Sequence, residues 1–144
     1  VTLYLDTSSL VKLYVTEVGA DAIRKLLEEA TIVATSRLAY PETRAALARR
    51  RREGALRPRA FALAKRTFEA DWHRYFAVEV TAPLCREAGE LAERYRLRGY
   101  DSVHLASFAE VARQAGPRET RFSSVDRALN RAAGSLRRVL VRGR

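Results

Sequence analysis

The chain has no methionine, two histidines and a single cysteine, Cys85. One cysteine closes no internal disulfide, which suits a reducing compartment and points to the cytoplasm. Without an activating cluster beside it, Cys85 reads as a small apolar residue on a helix rather than a reactive thiol. So few histidines and cysteines leave no zinc spacing, and neither a Walker-type loop nor a Ser–His–Asp arrangement is present. No apolar run approaches the roughly 18 residues of a membrane span, and no charged leader with an apolar core opens the sequence. Low-complexity tracts, long linkers and repeats are absent too. The 144 residues, 47% of them apolar, therefore read as a single domain over 1–144, long enough to bury a core.

Lysine is scarce. Only Lys12, Lys25 and Lys65 stand among 27 basic residues, and the rest are arginine. Against 17 acidic residues this leaves a net charge of +10. Such a balance favours a polyanionic partner, most commonly nucleic acid. An arginine- and alanine-rich composition also accompanies a G+C-rich genome or a thermophilic host, so charge alone names no activity.

Short strands alternate with helices along the chain. "VTLYL" (1–5), "TIVAT" (31–35), "AVEVT" (77–81), "TRFSSV" (120–125) and "LRRVLV" (136–141) read as strands. Between them, helical spacing predicts helices over 8–15 with Ser8 or Ser9 as cap, over 19–30, over 36–55 opened by Ser36, and over 57–76. Further helices are predicted over 82–97, over 101–116 closed by Gly116 and Pro117, and over 126–134. Pro41 and Pro58 fall early in their helices, where few backbone hydrogen bonds are lost. The alternation predicts an α/β fold, a three-layer α/β/α sandwich around a short, mainly parallel sheet. Ligands in such folds bind outside the carboxyl ends of the strands.

Charge placement is informative at that edge. Of only five aspartates, Asp6, Asp101 and Asp126 fall where a strand or loop passes into a helix. Glu42 lies about a turn and a half into the helix that follows the second strand, on the same edge. Each has a modest reading alone: an aspartate before a helix is a preferred N-cap, and Glu42 is a solvated helix carboxylate. Together, four converging carboxylates repel one another and raise their pKa values unless cations sit among them. An oxygen-only set suits Mg²⁺ or Mn²⁺. Such a site supports phosphodiester hydrolysis, since hard ions lower the pKa of an attacking water and stabilise the leaving oxygen.

The stretches "LYLDTSSLVKLYV", "ATSRLAYPETRAALAR", "YDSVHLASFAEV" and "RFSSVDRALNRAA", taken in this order over nearly the whole chain, resemble the PIN-domain ribonucleases, specifically the VapC-type toxins of toxin–antitoxin pairs. The resemblance implies a Mg²⁺- or Mn²⁺-dependent endoribonuclease acting on RNA, a homodimer, and a small antitoxin protein that blocks the acidic groove. It matches Asp6, Glu42 and Asp101 to the family's three firmest acidic positions and Asp126 to the fourth. Ser8 matches the small hydroxyl residue beside the first aspartate. Where the family commonly has Thr-Phe-Asp, this chain has Ser124-Val125-Asp126.

Other residues have two readings each. His104, three residues after Asp101, is a metal ligand or a hydrogen-bonded core histidine. The run Arg49, Arg50, Arg51 and Arg52 contacts RNA or closes a helix whose dipole favours positive charge. Tyr40, Trp72, His73 and Tyr75 stack on bases or pack in the core or a dimer interface. A haloacid-dehalogenase-type phosphotransferase would want an acid where Ser8 stands. The remaining alternatives are a PIN nuclease that matures RNA or cuts structured DNA outside any toxin pair, and a non-catalytic RNA-binding module.

Overall fold

The run Thr-Leu-Tyr-Leu sends its side chains alternately into two apolar layers, and that alternation sets the architecture. In the computed structural model, which describes residues 1–143, it forms β1 (Thr2–Leu5), buried along its whole length. Leu3 and Leu5 join Leu10, Ile23, Phe68 and Trp72 on one side. Tyr4 joins Leu105, Phe108 and Leu129 on the other. A strand buried on both faces belongs inside a parallel sheet covered by helices.

The remaining elements follow as α1 (Thr7–Val11), α2 (Ala20–Glu29), β2 (Ile32–Ser36), α3 (Ala39–Arg52), α4 (Pro58–Trp72) and β3 (Phe76–Val78). Then come α5 (Ala82–Tyr95), α6 (Gly99–Ala115), a 3₁₀ turn (Pro117–Glu119), β4 (Thr120–Ser123) and α7 (Arg127–Arg142). The sheet runs β3-β2-β1-β4 with every pair parallel. Helices α1 to α4 supply the layer over Leu3 and Leu5, and α5 to α7 the layer over Tyr4. This is the expected three-layer α/β/α sandwich. The chain builds outward from β1 through β2 to β3, then crosses back to the far side of β1 as β4. The strand order therefore reverses between β1 and β4, which opens a crevice at their carboxyl ends.

Four local expectations are corrected. Residues 136–141 are not a strand but the last turns of α7, because Leu129, Ala132, Ala133 and Leu136 recur at helical spacing and are buried. Asp6, rather than Ser8 or Ser9, caps α1. Ser36 ends β2, its hydroxyl accepting the Leu38 N–H at 3.1 Å, and α3 starts only at Ala39. Phe76 belongs to β3 rather than to α4. The last residue of the expected span, 144, lies outside the described residues. Pro41 and Pro58 do fall in the first turns of α3 and α4, and Gly116, at φ 96°, closes α6 in a backbone region that favours glycine. Cys85 sits exposed on α5.

Tyr40, Trp72 and Tyr75 gather around Phe68, with ring centroids 5.3 Å apart for Tyr40–Trp72 and 5.6 Å for Phe68–Trp72. They are core aromatics, which removes them from base stacking; His73 is exposed. Phe68 is fully buried at the centre of this cluster. Phe68→Ala should lower unfolding free energy by about 3–5 kcal/mol, the usual range for truncating a buried phenylalanine. Chemical denaturation checks this, and a loss under about 1 kcal/mol would contradict the packing described.

Candidate active site

Asp6 follows the last residue of a buried strand, and the residue is 5% exposed. Two local donors hold it: the Ser9 N–H at 3.0 Å and the Ser8 hydroxyl at 2.7 Å, both to Oδ1. Its own N–H donates to the Ser123 carbonyl at 3.1 Å, continuing the β1–β4 ladder. Ser8 Oγ also accepts the Val125 N–H at 3.1 Å, which ties the start of α1 to the segment leading into α7. At the head of α7, Asp126 Oδ1 accepts the N–H groups of Ala128 and Leu129 at 2.8 and 3.2 Å. Both aspartates are thus helix caps, as the modest reading has it, and both also face the crevice.

Asp101 is not a cap. Arg98 occupies the N-cap position of α6, and Asp101 lies in the first turn, buried at 9% exposure. Burial pushes its carboxyl pKa up; the Arg98 charge and hydrogen bond, 3.4 Å to Oδ2, oppose this, and the negative charges of Asp126 and Asp6 add to the rise. Asp101 therefore feels both of the other aspartates electrostatically.

Glu42, in the first turn of α3, is half-buried and not simply solvated. Its Oε1 takes hydrogen bonds from the Thr7 hydroxyl and from His104 Nε2, the latter at 2.9 Å. Behind it, Tyr4 Oη stands 2.8 Å from His104 Nδ1. Burial, above all, raises the Tyr4 pKa well beyond its usual value, so the phenol keeps its proton. A carboxylate oxygen can only accept, so His104 donates from Nε2 to Glu42. Burial works to raise the Glu42 pKa, but the hydrogen bonds from His104 and Thr7 and the histidine charge outweigh it, leaving the carboxyl below its usual range. His104 is accordingly a hydrogen-bonded core histidine that orients Glu42.

These four carboxylates line one cavity of about 680 Å³, together with Ser8, His104 and Ser124. In each, one oxygen is engaged and the other makes no hydrogen bond among the described residues: Asp6, Asp126 and Glu42 use Oδ1, Oδ1 and Oε1, and Asp101 uses Oδ2. None of the open oxygens is sealed from solvent, since Thr43 Oγ1 is the one buried side-chain polar atom without a partner among the described residues. Four open carboxylate oxygens and no nitrogen or sulfur donor is the chemistry of a hard divalent cation. In their present positions no three acidic, histidine or cysteine side chains of the described residues stand together as ligands of one ion.

The rim is basic. Lys12, Arg49, Arg50, Arg52 and Arg98 line the same cavity. Helix rotation splits the arginine run: Arg51 turns away and sits over the Phe61 ring, 5.5 Å from its centroid, so it is corrected out of the cavity wall. Arg49 pairs with Glu53 at 2.9 Å. Arg50 and Lys12 share Glu17, whose carboxyl is pulled down from 4.5 to about 2, chiefly by the Arg50 hydrogen bond against the opposing effect of burial. Sequence reasoning missed Thr7, Arg98 and Ser124. The "DTSS" hydroxyls and the arginine three residues before Asp101 were the available signals.

Comparison with known proteins agrees with this geometry. A family model described as PIN domain matches residues 3–134. Two proteins of Mycobacterium tuberculosis, Ribonuclease VapC45 and Ribonuclease VapC49, are each 44% identical over 108 residues, covering 75% of this chain and 75% of theirs. The crystal structure of M. tuberculosis VapC20, described as a sarcin-ricin loop cleaving toxin, superposes with a TM-score of 0.60 at 23% identity, covering 86% of this chain and 91% of that one. This last likeness is one of fold.

Because the ionised Asp101 is disfavoured in the folded state, removing its charge should stabilise the protein when no divalent ion is present. Its folded pKa lies above the unfolded value, so the cost exists at neutral pH and vanishes once pH falls below the carboxylate range. Asp101→Asn is expected to melt higher than wild type in EDTA at neutral pH, with the advantage lost near pH 3 (about the lower end of carboxylate titration). A lower melting temperature at neutral pH would contradict the repulsion described.

Proposed function

As the chain belongs to the PIN-domain family, we propose that it is a divalent-metal-dependent endoribonuclease of the VapC type, hydrolysing RNA phosphodiester bonds in the cytoplasm as the toxin of a toxin–antitoxin pair. The observation that carries this reading is the set of four carboxylates, each with one anchored and one open oxygen, in a single cavity with an arginine rim. Asp6, Glu42, Asp101 and Asp126 are the residues that would hold Mg²⁺ or Mn²⁺. When bound, such an ion supplies a more acidic water and charge stabilisation for the leaving oxygen.

The protein's own groups do the rest. Ser8 and the Ser9 N–H fix Asp6, and the Tyr4–His104–Glu42 chain with Thr7 fixes Glu42, so the acidic groups meet the substrate already oriented. Arg49, Arg50, Arg52 and Arg98 hold backbone phosphates, which positions a strand without reading its bases. The acid centre and basic rim thus divide two tasks on one polyanion. The same cavity mouth is the place where a small antitoxin protein would block access, and a homodimer is the assembly that the VapC resemblance supports.

Cleavage of a mixed cellular RNA pool tests the reading, using protein freed of any bound antitoxin. Wild type with Mg²⁺ should cut; EDTA or Asp101→Asn should reduce cutting at least about 100-fold, as expected where charge stabilisation at the reacting centre is lost. Cutting that persists in EDTA or in Asp101→Asn would sink the assignment. No cutting by any sample, with RNA binding intact in all, would favour a binding module.

A further inference from the structure

A second groove lies on the other side of the segment that carries Ser124. It is a hollow of about 310 Å³ between β4 and α7, with Arg121, Phe122, Asn130, Gly134 and Arg137 in its wall. We propose that this groove is an RNA subsite that seats one nucleotide of the strand beyond the cavity, its phosphate between Arg121 and Arg137 and its base against Phe122. The proposal rests on the nuclease reading above and extends it to the substrate's path.

Three observations carry it. The first is charge. Arg137 donates from Nε to the Pro117 carbonyl at 2.7 Å and from Nη2 to the Arg118 carbonyl at 2.9 Å, and Arg121 Nη1 donates to that same Arg118 oxygen at 2.7 Å. Two guanidiniums are therefore held close by one carbonyl, with Arg118 beside them. Burial and then the charges of Arg121 and Arg118 push the Arg137 pKa down, and the Glu119 carboxylate opposes them. Fixed like charges of this kind are relieved by an anion, and the geometry leaves both planar groups already oriented.

The second is shape. Gly134 lies in the interior of α7, where glycine is disfavoured. A Cβ there would meet only Arg138 Nη1, at an ordinary 3.7 Å, so neither packing nor backbone requires glycine. Gly134 lines the groove, and without a side chain it takes up no room there. Phe122, stacked on Tyr4 with centroids 5.6 Å apart, offers an apolar planar wall. Stacking on such a ring tolerates any base.

The third is continuity. Asn130, in the groove wall, accepts the Ser124 N–H at 3.1 Å and donates to the Ser124 carbonyl at 2.8 Å. Ser124 itself lines the acidic cavity. The walls of the two hollows are thus joined through the Ser124–Asn130 pair, so a strand leaving the cavity on that side would meet the groove next.

Fluorescence anisotropy with a labelled single-stranded RNA of about 12 nucleotides, long enough to reach both hollows, tests this in the Asp101→Asn background with Mg²⁺. Gly134→Gln fills the groove without altering charge, and Arg121→Gln removes one guanidinium. Gly134→Gln should weaken binding about tenfold while leaving the melting temperature no lower. Arg121→Gln should reduce the slope of log affinity against log salt by about 0.7, the value for one phosphate contact on a single strand. Unchanged affinity and slope in both variants overturn the subsite. So does unchanged RNA binding with loss of an acidic protein partner, which would make the groove a protein dock. If wild type cuts RNA but the variants bind normally, only the subsite fails. If the variants weaken binding while wild type never cuts, the nuclease reading fails and the subsite stands.

Discussion

A charged group at 5% exposure, Asp6, sits at the end of the most buried strand in the sheet. Everything near the cavity answers to that placement. An isolated carboxylate there would be costly to ionise, and the protein surrounds it with Ser8, the Ser9 N–H and the end of β4 rather than with a counter-charge. Asp101 lies nearby, and its burial first, then the negative charges of Asp126 and Asp6, disfavour its ionisation, with Arg98 as a partial offset at 3.4 Å. A divalent cation would offset the burial and like charge felt by Asp101.

The topology explains why these residues meet. Because β4 returns to the far side of β1, the segments after both strands open into the same crevice, and they bring Asp6 and Asp126 there. Helices α3 and α6 contribute Glu42 and Asp101 from their first turns, from opposite layers. The basic groups stand further out, on α1, α3 and the entry to α6, so the electrostatic pattern is acid within base. Under the proposed function, such an arrangement would draw a polyanion in and place its backbone over the acidic centre.

Much of this was legible in the sequence because it rests on local patterns. Period-two and period-3.6 hydrophobic spacing marked most strands and helices, and aspartates at junctions marked three of the four acidic positions. The segment 136–141 failed because a short apolar run with two valines fits either period, and only its continuity with Leu129, Ala132 and Leu136 decides for helix. The support of Glu42 was not legible at all: Thr7 and His104 are 35 and 62 residues away in sequence, and their meeting depends on how α1, α3 and α6 converge. The arginine run misled in one respect, since a helix turns about 100° per residue and so Arg51 faces Phe61 while its neighbours face the cavity.

The central claim, that these carboxylates form a cation site, is tested most directly by thermal unfolding against Mn²⁺ and Mg²⁺ concentration in wild type and Asp6→Asn. An ion that binds only the folded protein raises its melting temperature by mass action. The account predicts a rise that grows with ion concentration in wild type and is largely lost in Asp6→Asn. No rise in wild type, or an equal rise in the variant, would contradict it.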